Sequence, residues 1–250
     1  DAHTHLLPGS AANASFLWSS ADEMVISMDR YGIDQACISV IGSVDDENDE
    51  MLTAVEKYPD RFIGSVLVNP NYSDEIQGEI ERCFSVHKSV RMIGEVHPTT
   101  YQHHYPITGP KYEPLWEYAS KYNIPVLIHS GPTSEKPLCG PTEIAKIAKL
   151  HPDIPILIGH TGGYDSWAML EESIEVTKKY ENLYQEICAM GRYFGVVEYL
   201  VKKLGADRVM FGTDAPFHDW SAEIAHVAYA RISDNEKEKI FGKNILSLLK

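Results

Sequence analysis

Short runs of consecutive apolar residues, rich in Val and Ile, recur along the chain and alternate with amphipathic stretches. The runs cover residues 36–41, 62–68, 90–96, 125–129, 154–160, 183–187 and 209–214. Unbroken rather than alternating apolar runs are typical of parallel strands that are covered on both faces. The opening residues, 1–5, resemble the end of a first strand that is truncated at the N-terminus of the sequence. Counting it gives eight strands, and each is followed by a helical stretch.

Eight βα units in 250 residues predict an α/β protein, a single (β/α)8 TIM barrel that forms one domain over residues 1–250. A doubly wound open sheet is the alternative, since a sequence does not show closure of the sheet. Ser20 followed by Glu23 predicts a capped helix start. Residues 195–204 predict an amphipathic helix, and residues 234–249 a surface helix that ends the domain.

Five polar residues come at the carboxyl ends of predicted strands, which meet at one mouth of a barrel. His3 and His5 are two residues apart, so an extended strand points both to one side. His129, His160 and Asp214 end three later strands. A lone histidine at a strand end is more often structural, but five such residues together favour a metal site. Imidazole and carboxylate ligands suit a divalent cation, with Zn first and Mn or Fe as alternatives.

The motifs around these residues resemble the amidohydrolase superfamily, in its amidohydrolase-related branch of metal-dependent hydrolases and decarboxylases. The resemblance covers essentially the whole chain. It depends on Asp-Ala-His-Thr-His at 1–5, Pro-Val-Leu-Ile-His-Ser-Gly at 125–131, Gly-His-Thr-Gly-Gly at 159–163 and Gly-Thr-Asp-Ala-Pro-Phe at 212–217. It implies a metal held by His3, His5, His129 and Asp214. His160 is then either a ligand of a second metal or a catalytic residue. Asp214 would also act as the catalytic base.

The fourth predicted strand departs from the family pattern, because it carries Glu95 where many relatives have Lys or a residue that binds no metal. A carboxylate there could bridge two cations, and its ordinary alternative is an ion pair near the barrel mouth. The number of metal ions, one or two, therefore stays open.

Three further residues are candidates for substrate binding. Arg192 could pair with a substrate carboxylate, and His97 and His218 lie close in sequence to Glu95 and Asp214. A surface arginine and packed rim histidines are the plainer alternatives. The long fourth loop adds a candidate pocket wall made of Tyr101, His103, His104 and Tyr105.

The charge balance bears on the partners. There are 22 basic and 36 acidic residues, a net charge of −14, which argues against nucleic acid as a partner. The apolar runs are too short for a membrane span. Four widely spaced cysteines favour reduced thiols and a cytoplasmic location. We expect a small-molecule substrate, and a homo-oligomer is possible.

The leading functional prediction is a metal-dependent hydrolase that uses metal-activated water on an amide, lactone or related carbonyl. The alternative is a non-oxidative, metal-dependent decarboxylase of a small unsaturated or aromatic carboxylic acid. Glu95 favours hydrolysis slightly, because a bridging carboxylate suits a bridging hydroxide. Phosphodiester cleavage and a non-enzymatic binding protein are less consistent with the charge and with the intact ligand set.

Overall fold

The computed structural model describes residues 1–7, 20–41, 47–98 and 104–249. It contains eight parallel strands in a single sheet, whose order in space is their order in the chain. The strands are β1 (Thr4–Leu6), β2 (Ala36–Val40), β3 (Phe62–Val66), β4 (Val90–Val96), β5 (Val126–Ile128), β6 (Ile156–Ile158), β7 (Leu183–Glu186) and β8 (Val209–Met210).

The sheet closes between its last and first strands. Thr4 forms a parallel bridge with Ala215, beyond the end of β8. The backbone N–H of His5 donates to the Ala215 carbonyl at 2.7 Å, and that of Asp214 donates to the His3 carbonyl at 2.7 Å. The prediction of a (β/α)8 barrel is confirmed, and the open doubly wound sheet is excluded.

Helices follow the strands and cover the outside of the barrel. They are α1 (Ala21–Tyr31), α2 (Glu47–Lys57), α3 (Ile76–Val86), α4 (Glu113–Tyr122), α5 (Lys136–Cys139), α6 (Pro141–Leu150), α7 (Trp167–Lys179), α8 (Val196–Leu204), α9 (Trp220–Ala228), α10 (Asp234–Glu238) and α11 (Asn244–Leu248). Short 3₁₀ turns occupy Pro70–Tyr72, Pro110–Tyr112, Thr133–Glu135, Gly159–Gly162 and Ala206–Arg208.

Two of the helix predictions hold in detail. Ser20 and Glu23 form the expected capping box, in which the Ser20 hydroxyl accepts from the Glu23 N–H while the Glu23 carboxylate accepts from the Ser20 N–H. Helix α8 runs over Val196–Leu204 and buries Val196, Val197 and Leu200 against the barrel.

The prediction of one surface helix over residues 234–249 is wrong. The segment divides into α10, a π-helical turn over Lys239–Lys243, and α11. Ile240, Ile245 and Leu249 are buried. Ile245 and Leu249 pack against side chains inside the barrel, among them Cys37 and Ile63. Their apolar side chains leave water by covering the amino-terminal end of the barrel, so this segment is part of the core.

The barrel interior changes from apolar to polar along its axis. The lower layer has one side chain from each of seven strands: Cys37, Ile63, Met92, Leu127, Leu157, Tyr184 and Met210. Side chains two residues further along a strand face the same side. Those positions hold Ser39, Ser65, Gly94, His129, Gly159, Glu186 and Gly212. An apolar floor therefore supports a polar layer at the carboxyl-terminal mouth.

No helix in the described part of the chain is long and apolar enough to cross a membrane.

Candidate active site

The first group of polar side chains at the mouth comes from the two ends of the closed barrel. His3 Nε2 lies 2.9 Å from His5 Nε2, and His5 Nε2 lies 3.1 Å from Asp214 Oδ1. All three residues are buried. The hydrogen bond from the Asp214 N–H to the His3 carbonyl holds the end of β8 beside β1. We call these residues the first triad.

A second triad faces the first from β4, β5 and β6. His129 Nδ1 lies 2.8 Å from Glu95 Oε1 and 3.2 Å from His160 Nε2. His160 Nε2 lies 3.6 Å from the same Glu95 oxygen. These three residues are also buried, and their donor atoms are close enough together to hold one ion.

Glu95 links the two triads. Its Oε1 atom faces His129 and His160, while its Oε2 atom lies 3.6 Å from both His3 Nε2 and His5 Nε2. One carboxylate therefore presents one oxygen to each triad. This is the arrangement that a bridging ligand of two cations requires.

Each of the four imidazoles uses its other ring nitrogen to contact a partner outside the triads. His3 Nδ1 lies 3.1 Å from Glu186 Oε2, and His5 Nδ1 lies 2.9 Å from Ser39 Oγ. The other two pairs are His160 Nδ1 with Cys188 Sγ at 2.9 Å and His129 Nε2 with Glu135 Oε2 at 3.2 Å. Histidines that bind metals show this pattern, because an outer partner orients the ring and sets its tautomer.

The backbone turns two of these side chains in an uncommon way. His160 has φ 53° and Asp214 has φ 56°, in the left-handed region that non-glycine residues rarely adopt. Such conformations cluster at functional sites, where the surrounding structure maintains them.

Electrostatics holds opposite charges together in this buried site. Burial lowers the pKa of His129, but Glu95 and Glu135 outweigh it and raise that pKa to about 9. The pKa of His3 is likewise raised well above its usual value, by Glu95 and Glu186 against the effect of burial. Burial raises the pKa of Glu95, yet His129 and His3 bring it well below its ordinary value. Glu95 is therefore ionised, and protons occupy His3 and His129.

The donor set fits a divalent cation. Two ligands at about 2.1 Å from one ion lie roughly 3 Å apart, close to the separation of the His3 and His5 Nε2 atoms. Among the described residues no Lys or Arg forms an ion pair with Glu95, Glu186 or Asp214. A cation would neutralise this buried negative charge in place of the protons.

The substrate-binding candidates lie at different depths. His97 stacks on His129 with ring centroids 3.7 Å apart, and burial together with His129 lowers its pKa to about 3, so its ring is neutral. His218 is half-buried, with Nε2 3.8 Å from Asp214 Oδ2. Arg192 is exposed and lies over the Tyr164 ring at 5.3 Å.

Only part of the fourth loop is described. Tyr101 and His103 lie outside the described residues. His104 is exposed, whereas Tyr105 packs against the hydrophobic core, 6.0 Å from the Tyr112 ring. Tyr105 therefore contributes packing.

Sequence reasoning missed several outer partners, above all Glu186 and Cys188. Both are buried beside His3 and His160. A signal was present, since Glu186 ends an apolar strand as His129 and His160 do. Ser39 and Glu135 gave no such signal, because a serine in a strand and a glutamate in a loop are common.

A family model described as amidohydrolase matches residues 1–250, the whole chain. The chain belongs to the amidohydrolase family. Among curated proteins it is similar to the gamma-resorcylate decarboxylase of Polaromonas sp. (strain JS666 / ATCC BAA-500), with 24% identity over an alignment of 288 positions. That alignment covers 92% of this chain and 87% of the relative.

Solved structures of named decarboxylases share the fold. The dihydroxybenzoic acid decarboxylase from Polaromonas sp. JS666, with bound manganese and the inhibitor 2-nitroresorcinol, has a TM-score of 0.77 and 18% identity, over 99% of this chain and 96% of that one. The 5-carboxyvanillate decarboxylase from Novosphingobium aromaticivorans DSM 12444, complexed with manganese and 4-hydroxy-3-methoxy-5-nitrobenzoic acid, has a TM-score of 0.72 and 16% identity. That comparison covers 99% of this chain and 95% of the decarboxylase chain.

These names correct the functional prediction. Hydrolysis stood first and decarboxylation second, yet the curated relative and both structures are decarboxylases. The prediction of a hydrolase is therefore wrong in its ranking. The physical reason is that a buried His and carboxylate cluster serves either reaction, and the residues that differ lie around the substrate. The preference for zinc has no support in these relatives, whose structures contain manganese.

Proposed function

We propose that this chain is a metal-dependent, non-oxidative decarboxylase of a hydroxylated aromatic carboxylic acid. The observation that carries the proposal is the buried cluster of imidazoles and carboxylates at the mouth of the barrel, in a chain whose named relatives are decarboxylases. We take it to be one domain over residues 1–250 that acts on a small molecule, in the cytoplasm, alone or as a homo-oligomer. The four described cysteines, all buried and free, support a reducing compartment.

His3, His5 and Asp214 would hold the principal cation, and Glu95, His129 and His160 would hold a second one or complete the coordination of the first. Manganese and zinc both suit this donor set. When bound, the cation would supply positive charge that anchors the carboxylate and a neighbouring hydroxyl oxygen of the substrate.

The reaction replaces a carboxylate on the ring by a proton. A proton is added to the ring carbon that carries the carboxylate, the bond between that carbon and the carboxyl carbon breaks, and CO₂ leaves. The electron pair of the broken bond returns to the ring, so no oxidant is needed. The protein must therefore supply one proton at the ring carbon and keep the carboxylate in place.

Asp214 is the residue best placed to move that proton. Its Oδ1 atom faces His5, whereas its Oδ2 atom faces His218 at 3.8 Å. His218 is half-buried and borders the mouth, and its separation from Asp214 is too long for a direct hydrogen bond, so a proton would pass between them through one water. In a site with a single cation held by the first triad, the His160 ring across the mouth would instead stabilise negative charge on the substrate.

The walls of the mouth suit an aromatic ring. Phe217 is exposed, and its ring lies edge-on to His5 with centroids 5.8 Å apart. The Tyr164 ring lies 5.1 Å from that of His160, and the Arg192 guanidinium lies over the Tyr164 ring. Arg192 would therefore contact a substituent on the outer side of the substrate's aromatic ring. His97 would be a neutral polar contact for the substrate beside His129.

The test is a decarboxylation assay with protein that has been loaded with Mn²⁺ or Zn²⁺ and checked by elemental analysis. We expect CO₂ and resorcinol from 2,6-dihydroxybenzoate, or the corresponding phenol from 5-carboxyvanillate. Benzoate, which lacks the hydroxyl that the metal would anchor, serves as the matched control and should not react. Fully metal-loaded protein that releases no CO₂ from hydroxybenzoates, or that hydrolyses a lactone or amide instead, would overturn the proposal.

A further inference from the structure

Glu186 is a buried carboxylate that lies behind the first triad, on the side away from Asp214. It ends β7 and is fully buried. Its Oε2 atom accepts from His3 Nδ1 at 3.1 Å, from the His160 backbone N–H at 3.1 Å and from Cys188 Sγ at 3.0 Å. Its Oε1 atom accepts from the Cys188 backbone N–H at 2.7 Å.

These contacts join the two triads from below. A neutral imidazole carries one N–H and one free lone pair. A carboxylate facing Nδ1 requires the N–H there, which leaves the lone pair of His3 on Nε2, the atom that faces His5, Glu95 and Asp214. The bond to the His160 backbone also stabilises the turn that points this side chain into the mouth.

We propose that Glu186 is a positioning residue that sets the tautomer of His3 and the place of His160, so that both Nε2 atoms are presented to the cation. This inference depends on the proposed metal site and adds a residue that acts through the ligands. A carboxylate behind a metal-binding histidine raises the basicity of the ring as well as orienting it.

The neighbouring strand leaves room for this carboxylate. A Cβ atom on Gly212, two residues after the end of β8, would lie 2.1 Å from Glu186 Oε1 and 2.8 Å from His3 Cβ. No side chain fits there while Glu186 and His3 keep their places. The absence of a side chain at Gly212 therefore allows Glu186 to contact His3.

A competing role for this region is direct metal binding by Glu186 and Cys188. The Cys188 sulfur lies 2.9 Å from His160 Nδ1 and 3.4 Å from His3 Nδ1. These are the ring nitrogens that point away from the triads, so the same rings would have to hold ions on both sides. The positioning role needs only ordinary hydrogen bonds.

The decisive experiment is Mn²⁺ affinity by chelator competition, measured on Glu186→Gln and wild-type protein. We expect binding about 10- to 100-fold weaker in the variant, measured on protein whose circular dichroism spectrum matches that of wild type. Glu223→Gln is the matched control. Glu223 is also buried and accepts from the Ala189 N–H at 3.3 Å, but it contacts His226 instead of a triad residue. The Mn²⁺ affinity of Glu223→Gln should stay within about twofold of that of wild type.

A second variant guards against misfolding of the first. Gly212→Ala keeps the Glu186 carboxylate but places a methyl group against it and against the His3 Cβ, so it should also weaken Mn²⁺ binding. In Zn²⁺-loaded wild-type protein the His3 Nδ1 proton should give a downfield NMR signal that is lost or shifted in Glu186→Gln.

The outcomes separate the two proposals. Wild-type protein that binds no Mn²⁺ overturns the metal site and this inference together. Wild-type binding with equal affinity in Glu186→Gln and Gly212→Ala overturns the role of Glu186 alone. An intense near-ultraviolet band from sulfur to Co²⁺ in Co²⁺-loaded protein would show Cys188 as a ligand and would also overturn it.

Discussion

The Nε2 atoms of His3, which directly precedes β1, and of His5 on β1 lie 2.9 Å apart. Both rings point into the barrel because alternate residues of a strand face the same side. Their outer nitrogens are occupied by Glu186 and Ser39, so the inner pair faces Asp214 and Glu95. The local period of one strand therefore creates half of a metal site.

Asp214→Asn tests the proton-transfer role. The amide keeps the size of the side chain but neither carries the negative charge nor delivers a proton. We expect kcat to fall by about 10²- to 10⁴-fold at saturating Mn²⁺. Asp219→Asn is the matched control, because Asp219 only caps α9 through the Ser221 N–H and asparagine caps equally well. A variant of Asp214 that keeps most of its activity would contradict the role.

Glu95→Gln tests whether one carboxylate bridges two cations. If it does, elemental analysis should give about two metal equivalents for wild type and about one for the variant, because the amide cannot supply two anionic oxygens. Glu172→Gln, which affects a carboxylate on α7 paired with Lys136, should leave the count unchanged. One equivalent in both wild type and Glu95→Gln would show that Glu95 does not bridge.

Metal affinity should rise with pH. The proton that Glu95 and Glu135 hold on His129, with a pKa of about 9, must leave before the ring can bind a cation. Below this pKa each released proton strengthens apparent binding by about tenfold per pH unit, and the contribution of His129 should flatten near pH 9. Chelator competition at several pH values measures this slope.

Glu135→Gln provides the control for that pH profile. Glu135 contacts His129 Nε2 at 3.2 Å and helps to raise the pKa of His129. Its removal should shift the flattening point to lower pH. Affinity that is flat or falls between about pH 6 and pH 9 would show that no proton is displaced from these imidazoles.

Arg192→Ala tests binding at the outer rim. We expect KM for a substrate with an anionic outer substituent to rise about tenfold or more while kcat changes little, because the guanidinium would contact the substrate far from the reacting carbon. Lys202→Ala removes an exposed charge from α8 and should leave KM unchanged. Equal KM values for both variants would assign Arg192 to the solvated surface.

The sequence predicted the barrel and a metal site of His3, His5, His129 and Asp214 at its mouth, because both predictions depend on local patterns. The structure groups His3, His5 and Asp214, but it places His129 with Glu95 and His160. An apolar strand that ends in a polar residue can be recognised in the chain, and the strand ends of a barrel meet at one mouth. The observed β4 matches its predicted run, and His5 on β1 faces the same side as His3, which directly precedes the strand.

The position of Glu95 could not be read in the same way. Met92 faces the barrel interior, so strict alternation along β4 would direct Glu95 to the outside. The register between β4 and β5 shifts between Ile93 and Val96, and the side chain of Glu95 reaches into the mouth. Such a shift depends on how neighbouring strands pair, which a single strand does not encode.

The amino-acid sequence by itself therefore determined the element types, their order and the polar residues at the strand ends, since these follow from periodicities of two and 3.6 residues. Only the tertiary structure decided that Glu95 faces both triads and that Glu186 supports His3 and His160 from below. It also decided that the C-terminal segment covers the floor of the barrel. These relationships join residues distant in the chain, and closure of the barrel and strand register bring them together.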